Sequence, residues 1–166
     1  DSGKVGLHML AVEPIPAAVA ALQASARANG WAGHVRAIRA ALVNRTSEGA
    51  SVRLSVAPGH LAEASAAGCA LGNEAACSTV EVPAMTLDGL RLPKPPSGGR
   101  VVVHCLKLNV MGYELEVLQG GSERFLSLPG DGASDGTTRP LVCAVLLEEL
   151  KAHRGREDVR RLAAIL

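Results

Sequence analysis

Aromatic side chains are nearly missing from this chain: among 166 residues only Trp31, Tyr113 and Phe125 carry a large ring, 2% of the total. The core must therefore be built from Ala, Val and Leu, and binding of single-stranded nucleic acid by base stacking is disfavoured. An excess of charge of either sign is missing too. Seventeen Lys and Arg stand against 16 Asp and Glu, a formal net charge of +1, which offers no basic stripe for a phosphate backbone. No apolar run approaches the length of a membrane-spanning helix, and the opening residues, "DSGKVG", do not form a signal peptide. The expected partners therefore include neither nucleic acid nor membrane.

Cysteine pairs of the C-x-x-C type are absent. Cys69, Cys77, Cys105 and Cys143 are scattered, which argues against a zinc knot, and the lack of a clustered His/Asp/Glu set argues against a bound metal. Cys105 and Cys143 sit inside apolar runs and are expected as buried free thiols. Cys69 and Cys77 lie in a small-residue segment where they could approach each other, but free thiols in a cytoplasmic or other reducing compartment are the simpler expectation.

What is present is aliphatic bulk. Hydrophobic residues make up 48% and the mean hydropathy is +0.20, enough for one domain with a core of its own. Three unbroken apolar runs stand out: "GLHMLAV" (6–12), "VVVHCLKL" (101–108) and "LVCAVLL" (141–147), with "HVRAIRAAL" (34–42) a weaker fourth. Runs without alternation suit strands covered on both faces, as in a parallel sheet, and on such strands His8 and His104 are expected as core residues. Between the first and fourth runs, "PAAVAALQASARANG" opens after prolines and closes on Asn29-Gly30, the punctuation of a helix. Strand, helix and strand in that order make a βαβ unit.

"SVRLSV" (51–56) and "TVEV" (79–82) alternate strictly, which predicts an antiparallel excursion. Segments 57–78, 93–99 and 129–140 are rich in small, Gly or Pro residues and are expected as flexible loops. The tail after Leu147 has apolar residues at helical spacing among charges, the pattern of a solvated amphipathic helix.

Two places carry polar groups where an open α/β sheet puts its chemistry, at the carboxyl ends of strands. The first is "AVEPIP", where Glu13 and Pro14 end a strand just before a helix. The second is "KLNVMGYELEVLQGG" (107–121). Lys107 and Asn109 are two apart and share one face of a strand, Gly112 permits a sharp turn, and Glu114 opens the next helix. Glu148 ends the last apolar run and is a weaker candidate. Each position also has a purely structural reading: a helix-start acid for Glu13, and ordinary polar exits from a strand for the others.

Taken in order, "VEPIP", "AAL" (40–42), "TLDGL" (86–90), "KLNVMGYELEVLQGG" and "LVCAVLLEEL" resemble the FkbM family of S-adenosylmethionine-dependent methyltransferases from about residue 5 to 150. The resemblance implies an α/β fold: a Rossmann-like class I methyltransferase sheet, mostly parallel, with an antiparallel hairpin excursion. It implies methyl transfer from S-adenosylmethionine to a hydroxyl oxygen on a small molecule or sugar. Glu13 and Pro14 would meet the cofactor ribose, Ala41 would lie near the adenine, and Asn109 would touch the cofactor. Lys107, Asn109 and Glu114 would line the pocket where methyl group and acceptor meet, with Glu148 facing it.

Two departures accompany the resemblance. The family pattern has Asp where this chain has Asn109, and the family's first strand and glycine-rich loop have no counterpart here. The expectation is thus a single partial domain over residues 1–166, whose exposed sheet edges invite self-association. A truncated or degenerate, non-catalytic domain is one alternative. A nicotinamide-dependent oxidoreductase, which also uses an acid at the position of Glu13, is another.

Overall fold

The computed structural model describes residues 8–47, 49–59, 64–65, 76–93, 101–123, 125–126 and 141–147. The chain divides into two compact units, one of residues 1–41 and 47–84, the other of residues 42–46 and 85–166.

The first unit begins with the predicted βαβ unit. Strand β1 (Met9–Glu13) leads into helix α1 (Pro16–Ala28), and β2 (Val35–Arg39) returns parallel to β1, Met9 opposite Val35 through Glu13 opposite Arg39. Pro16 occupies the first helical position, where its missing N–H costs nothing. The helix ends in a Schellman arrangement. Trp31 N–H donates to Ala26 O at 2.7 Å, Gly30 N–H donates to Arg27 O at 3.1 Å, and Gly30 takes φ +72°. The chain then turns tightly, with His34 N–H donating to Trp31 O at 2.8 Å.

The antiparallel excursion follows. β4 (Ser51–Val56) pairs with β6 (Ser78–Met85), Leu54 opposite Val80, and with the two-residue β5 (Ala64–Ser65). Leu54 and Val56 are buried while Ser51 and Arg53 are exposed, so the alternation read from "SVRLSV" is the alternation of faces. The segment expected as a loop over 57–78 thus contains a short strand paired with β4. The strand order is β3-β6-β4-β5; β3 (Ala41–Leu42) and the last residue of β6 carry the chain into the second unit.

In the second unit β7 (Val102–Val103) pairs parallel with β9 (Leu141–Val142), and β8 (Leu106–Leu108) pairs parallel with β10 (Val145–Leu147). Helix α2 (Glu114–Gln119) follows β8. Leu108, Leu115, Val117 and Leu118 form the core here, with Leu42, Leu106, Val110, Leu126 and Val145 against it. Burial of Val117 and Leu118, both fully enclosed, contributes about 1.5–3 kcal/mol each.

Three of the strand pairs are parallel, but the described residues hold only two helices and form four small sheets where one mostly parallel sheet was expected. The apolar runs are also less covered than their composition suggests. Met9 is 50% exposed and Leu146 57%, and His8, His104, Cys105 and Cys143, expected in the core, are all exposed. Among the described residues each parallel pair has only two strands, so each strand has an unpaired edge. Cys105 and Cys143 are free thiols, but Cys77, expected free, is disulfide-bonded. Thiol content therefore no longer points to a reducing compartment. No helix among the described residues is long and apolar enough to cross a membrane.

Candidate functional site

Glu13 is the last residue of β1, half-buried, and its Oε1 accepts the Ile15 N–H at 2.9 Å. The geometry follows from the sequence. Ile15 is the N-cap of α1 and its side chain offers no hydrogen bond to the helix start, so a carboxylate two residues upstream takes the nearby N–H instead. The bond fixes one oxygen of Glu13 and leaves Oε2 without a partner among the described residues. Pro14 beside it is half-buried, and Ala41 is half-buried in β3.

In the second unit Lys107 and Asn109 are exposed and Leu108 between them is buried, so the predicted shared face of Lys107 and Asn109 is the solvent face. After Asn109 the chain makes a turn with two consecutive positive φ values, Met111 at 53° and Gly112 at 94°. Gly112 adopts this freely; Met111 does so at a cost of about 1 kcal/mol. The turn is held by Glu114, which is 1% exposed. Its Oε1 accepts both the Val110 N–H at 3.3 Å and the Gly112 N–H at 3.2 Å.

Tyr113, the N-cap of α2, makes no side-chain cap, and Glu114 turns back to accept from the turn before the helix, not from the helix's own first N–H groups. Oε2 of Glu114 is buried without a hydrogen-bond partner among the described residues. The structure therefore sets Glu114 against the backbone immediately after Asn109, while Lys107 and Asn109 stand in solvent. Glu148 lies outside the described residues.

A second device in this unit was not assigned a role from the sequence. Asp88 of "TLDGL" accepts the Glu123 N–H on Oδ2 at 3.1 Å and the Phe125 N–H on Oδ1 at 2.6 Å, and its own N–H donates to Gly120 O at 2.9 Å. Thr86 Oγ1 accepts the Gly89 N–H at 3.0 Å. Gly120 and Gly121 make this clamp possible: a Cβ on Gly120 would run into the backbone carbonyl of Val43, and one on Gly121 would lie 2.6 Å from Cδ2 of the fully buried Leu87. The available signal was the pairing of Asp-Gly with Gly-Gly, two turn-forming pairs in which small residues permit close backbone approach.

The first unit also has a shallow cleft of about 390 Å³ lined by Gly49, Ala50, Ser51, Glu81, Val82 and Pro83, none of them a residue singled out from the sequence. Among the described residues no group of three or more His, Cys, Asp or Glu is placed to hold a metal.

No curated protein and no solved structure matches the chain significantly. The family model of the methyltransferase FkbM domain matches residues 1–129, a span that takes in Glu13, Ala41, the Thr86–Asp88 clamp, Lys107, Asn109 and Glu114. With the carboxylate at the end of β1, the glutamate-held turn after β8 and a family match over most of its length, the chain belongs to the FkbM methyltransferase family.

Proposed function

We propose that the chain acts in S-adenosylmethionine-dependent methyl transfer to a hydroxyl oxygen of a small molecule or sugar. The observation that carries this reading is Glu13: a carboxylate at the carboxyl end of a parallel strand, with one oxygen tied to Ile15 N–H and the other open. Two hydroxyls on adjacent carbons of a ribose need such an acceptor, so the residues present fit the cofactor. When bound, the cofactor supplies a methyl group on a sulfonium centre. By the family resemblance Glu13 and Pro14 would hold its ribose, Ala41 would lie by its adenine, and Asn109 would touch it.

On the acceptor side, Lys107 and Asn109 share a solvent-facing surface from which an ammonium and an amide donate to an oxygen. Glu114 keeps the turn after Asn109 in one conformation, which is how positioning lowers a barrier without contact to the reacting atoms. Glu148 is the remaining pocket residue in this reading. Asn109 orients a ligand as the family's Asp does, but its amide carries no charge and takes no proton. That substitution favours a second reading, a family member kept for binding and not for turnover.

Calorimetric titration with S-adenosylmethionine tests the proposal. The expected result is saturable binding by the native chain, weakened on the order of tenfold or more in Glu13→Gln. Gln retains an acceptor for Ile15 N–H, so the loss reports the ligand and not the fold. Asn109→Asp separates the two readings. It is expected to raise methyl transfer to hydroxylated acceptors about a hundredfold if the site turns over, whereas binding with no transfer in either form supports the second reading. A folded chain that binds no cofactor overturns the proposal.

A further inference from the structure

We propose that His8 and His34 form a two-imidazole site for a divalent first-row transition-metal ion. The inference is independent of methyl transfer and rests on the first βαβ unit alone. Met9 is opposite Val35 in the parallel β1–β2 ladder, and Met9 N–H donates to His34 O at 2.8 Å. Continued by one residue, the register sets His8 beside His34. In a parallel pair, residues in register direct their side chains to the same face. Both histidines are exposed, and their ring centroids are 5.5 Å apart with planes inclined by 38°.

That separation is the one a shared ion requires. Imidazole nitrogens bind zinc and its neighbours at about 2.0–2.1 Å, and each ring nitrogen lies about 1.15 Å from its centroid, so two rings on one tetrahedral ion have centroids about 5.2 Å apart. The observed spacing is within a few tenths of an ångström of this value. Small rotations of two exposed side chains, each with two torsions, turn one nitrogen of each ring toward the common point. The backbone is already fixed: the Schellman end of α1 and the Trp31–His34 turn hold His34 in place. Two protein ligands leave the other coordination positions to water. Such a site is open, of modest affinity, and ranks ions by the usual order for nitrogen donors, copper above nickel and cobalt. An ion bridging β1 and β2 binds only when the strands are paired and so stabilises the folded unit.

Trp31 is the chain's one tryptophan and stands three residues before His34, 57% exposed, so its fluorescence reports on the site. The test is titration of the intact chain with Ni²⁺, a quencher that imidazole binds. The expected result is saturable quenching of Trp31 that follows a single-site isotherm, reversed by excess Zn²⁺, which competes without quenching. His8→Asn and His34→Asn are each expected to weaken it on the order of tenfold. The double variant is expected to abolish it, and His104→Asn, in the other unit, to leave it unchanged. Both substituted positions are exposed, and far-UV circular dichroism verifies that each variant is folded. Quenching that survives in the folded double variant, that requires His104, or that never saturates overturns the proposal.

Discussion

Glu114 solves two problems with one oxygen. The turn between β8 and α2 leaves the Val110 and Gly112 N–H groups pointing inward, and Oε1 accepts both. Glu114→Ala removes that acceptor from two part-buried donors and is expected to cost about 2 kcal/mol in all, toward the low end of the range of about 1–3 kcal/mol that each orphaned buried donor costs. Chemical denaturation reads this as a lower midpoint at unchanged slope. Glu114→Gln keeps Oε1 and replaces the unpartnered Oε2 with an amide. Its expected cost is under about 1 kcal/mol, and a Gln variant as unstable as the Ala variant contradicts the role given to Oε1. Only part of this was legible beforehand. The sequence showed an acid at a helix start, but whether a carboxylate faces solvent or folds back on its own turn depends on the φ values of Met111 and Gly112, and a one-residue Met excursion into left-handed space leaves no trace in residue type.

Among the elements, α1 was the most legible, because Pro16 and Gly30 act on the backbone alone and need no partner. The strands were legible as apolar runs, but their coverage was not, since the composition of a run does not say how many layers meet it. The clamp at the end of α2 was least legible of all. It joins Thr86–Gly89 to Gly120–Phe125 through hydrogen bonds between residues more than 30 apart, and each half reads locally as an ordinary turn.

The two helix ends predict different responses to the same substitution. Gly30→Ala places a Cβ in open space and pays only for the left-handed φ, about 1 kcal/mol. Gly120 has ordinary helical φ but no room, so Gly120→Ala is expected to cost more, about 2–3 kcal/mol, by overpacking against the Val43 carbonyl. Thermal unfolding of the two variants side by side checks the order. Equal shifts would mean that the Gly120–Val43 approach is looser than described.

At the scale of the whole molecule, sulfur chemistry separates the cysteines by exposure. Cys105 and Cys143 are exposed free thiols and Cys77 is oxidised. A thiol reagent added to the native, unreduced chain is expected to titrate both exposed groups, and Cys105→Ser with Cys143→Ser is expected to lower the count by two. A smaller fall would place one of them out of reach. Glu13 closes β1 and Asn109 directly follows β8, each at the carboxyl end of a strand.

The ladder that holds the second of these ends has a particular arithmetic. Val102 faces Leu141 and Val103 faces Val142, and after the interruption Leu106 faces Val145 and Leu108 faces Leu147. The offset is 39 residues on both sides of the break (141 − 102 and 145 − 106), so no residue is gained or lost across His104–Cys105. The break in the ladder is therefore tolerant of changed letters and intolerant of changed length. Deleting or duplicating a single codon there would exchange the roles of Leu108 and its neighbours, sending the core leucine into water and Lys107 and Asn109 into the interior. Relatives that have diverged through this segment are expected to differ in its spelling and to agree in its count.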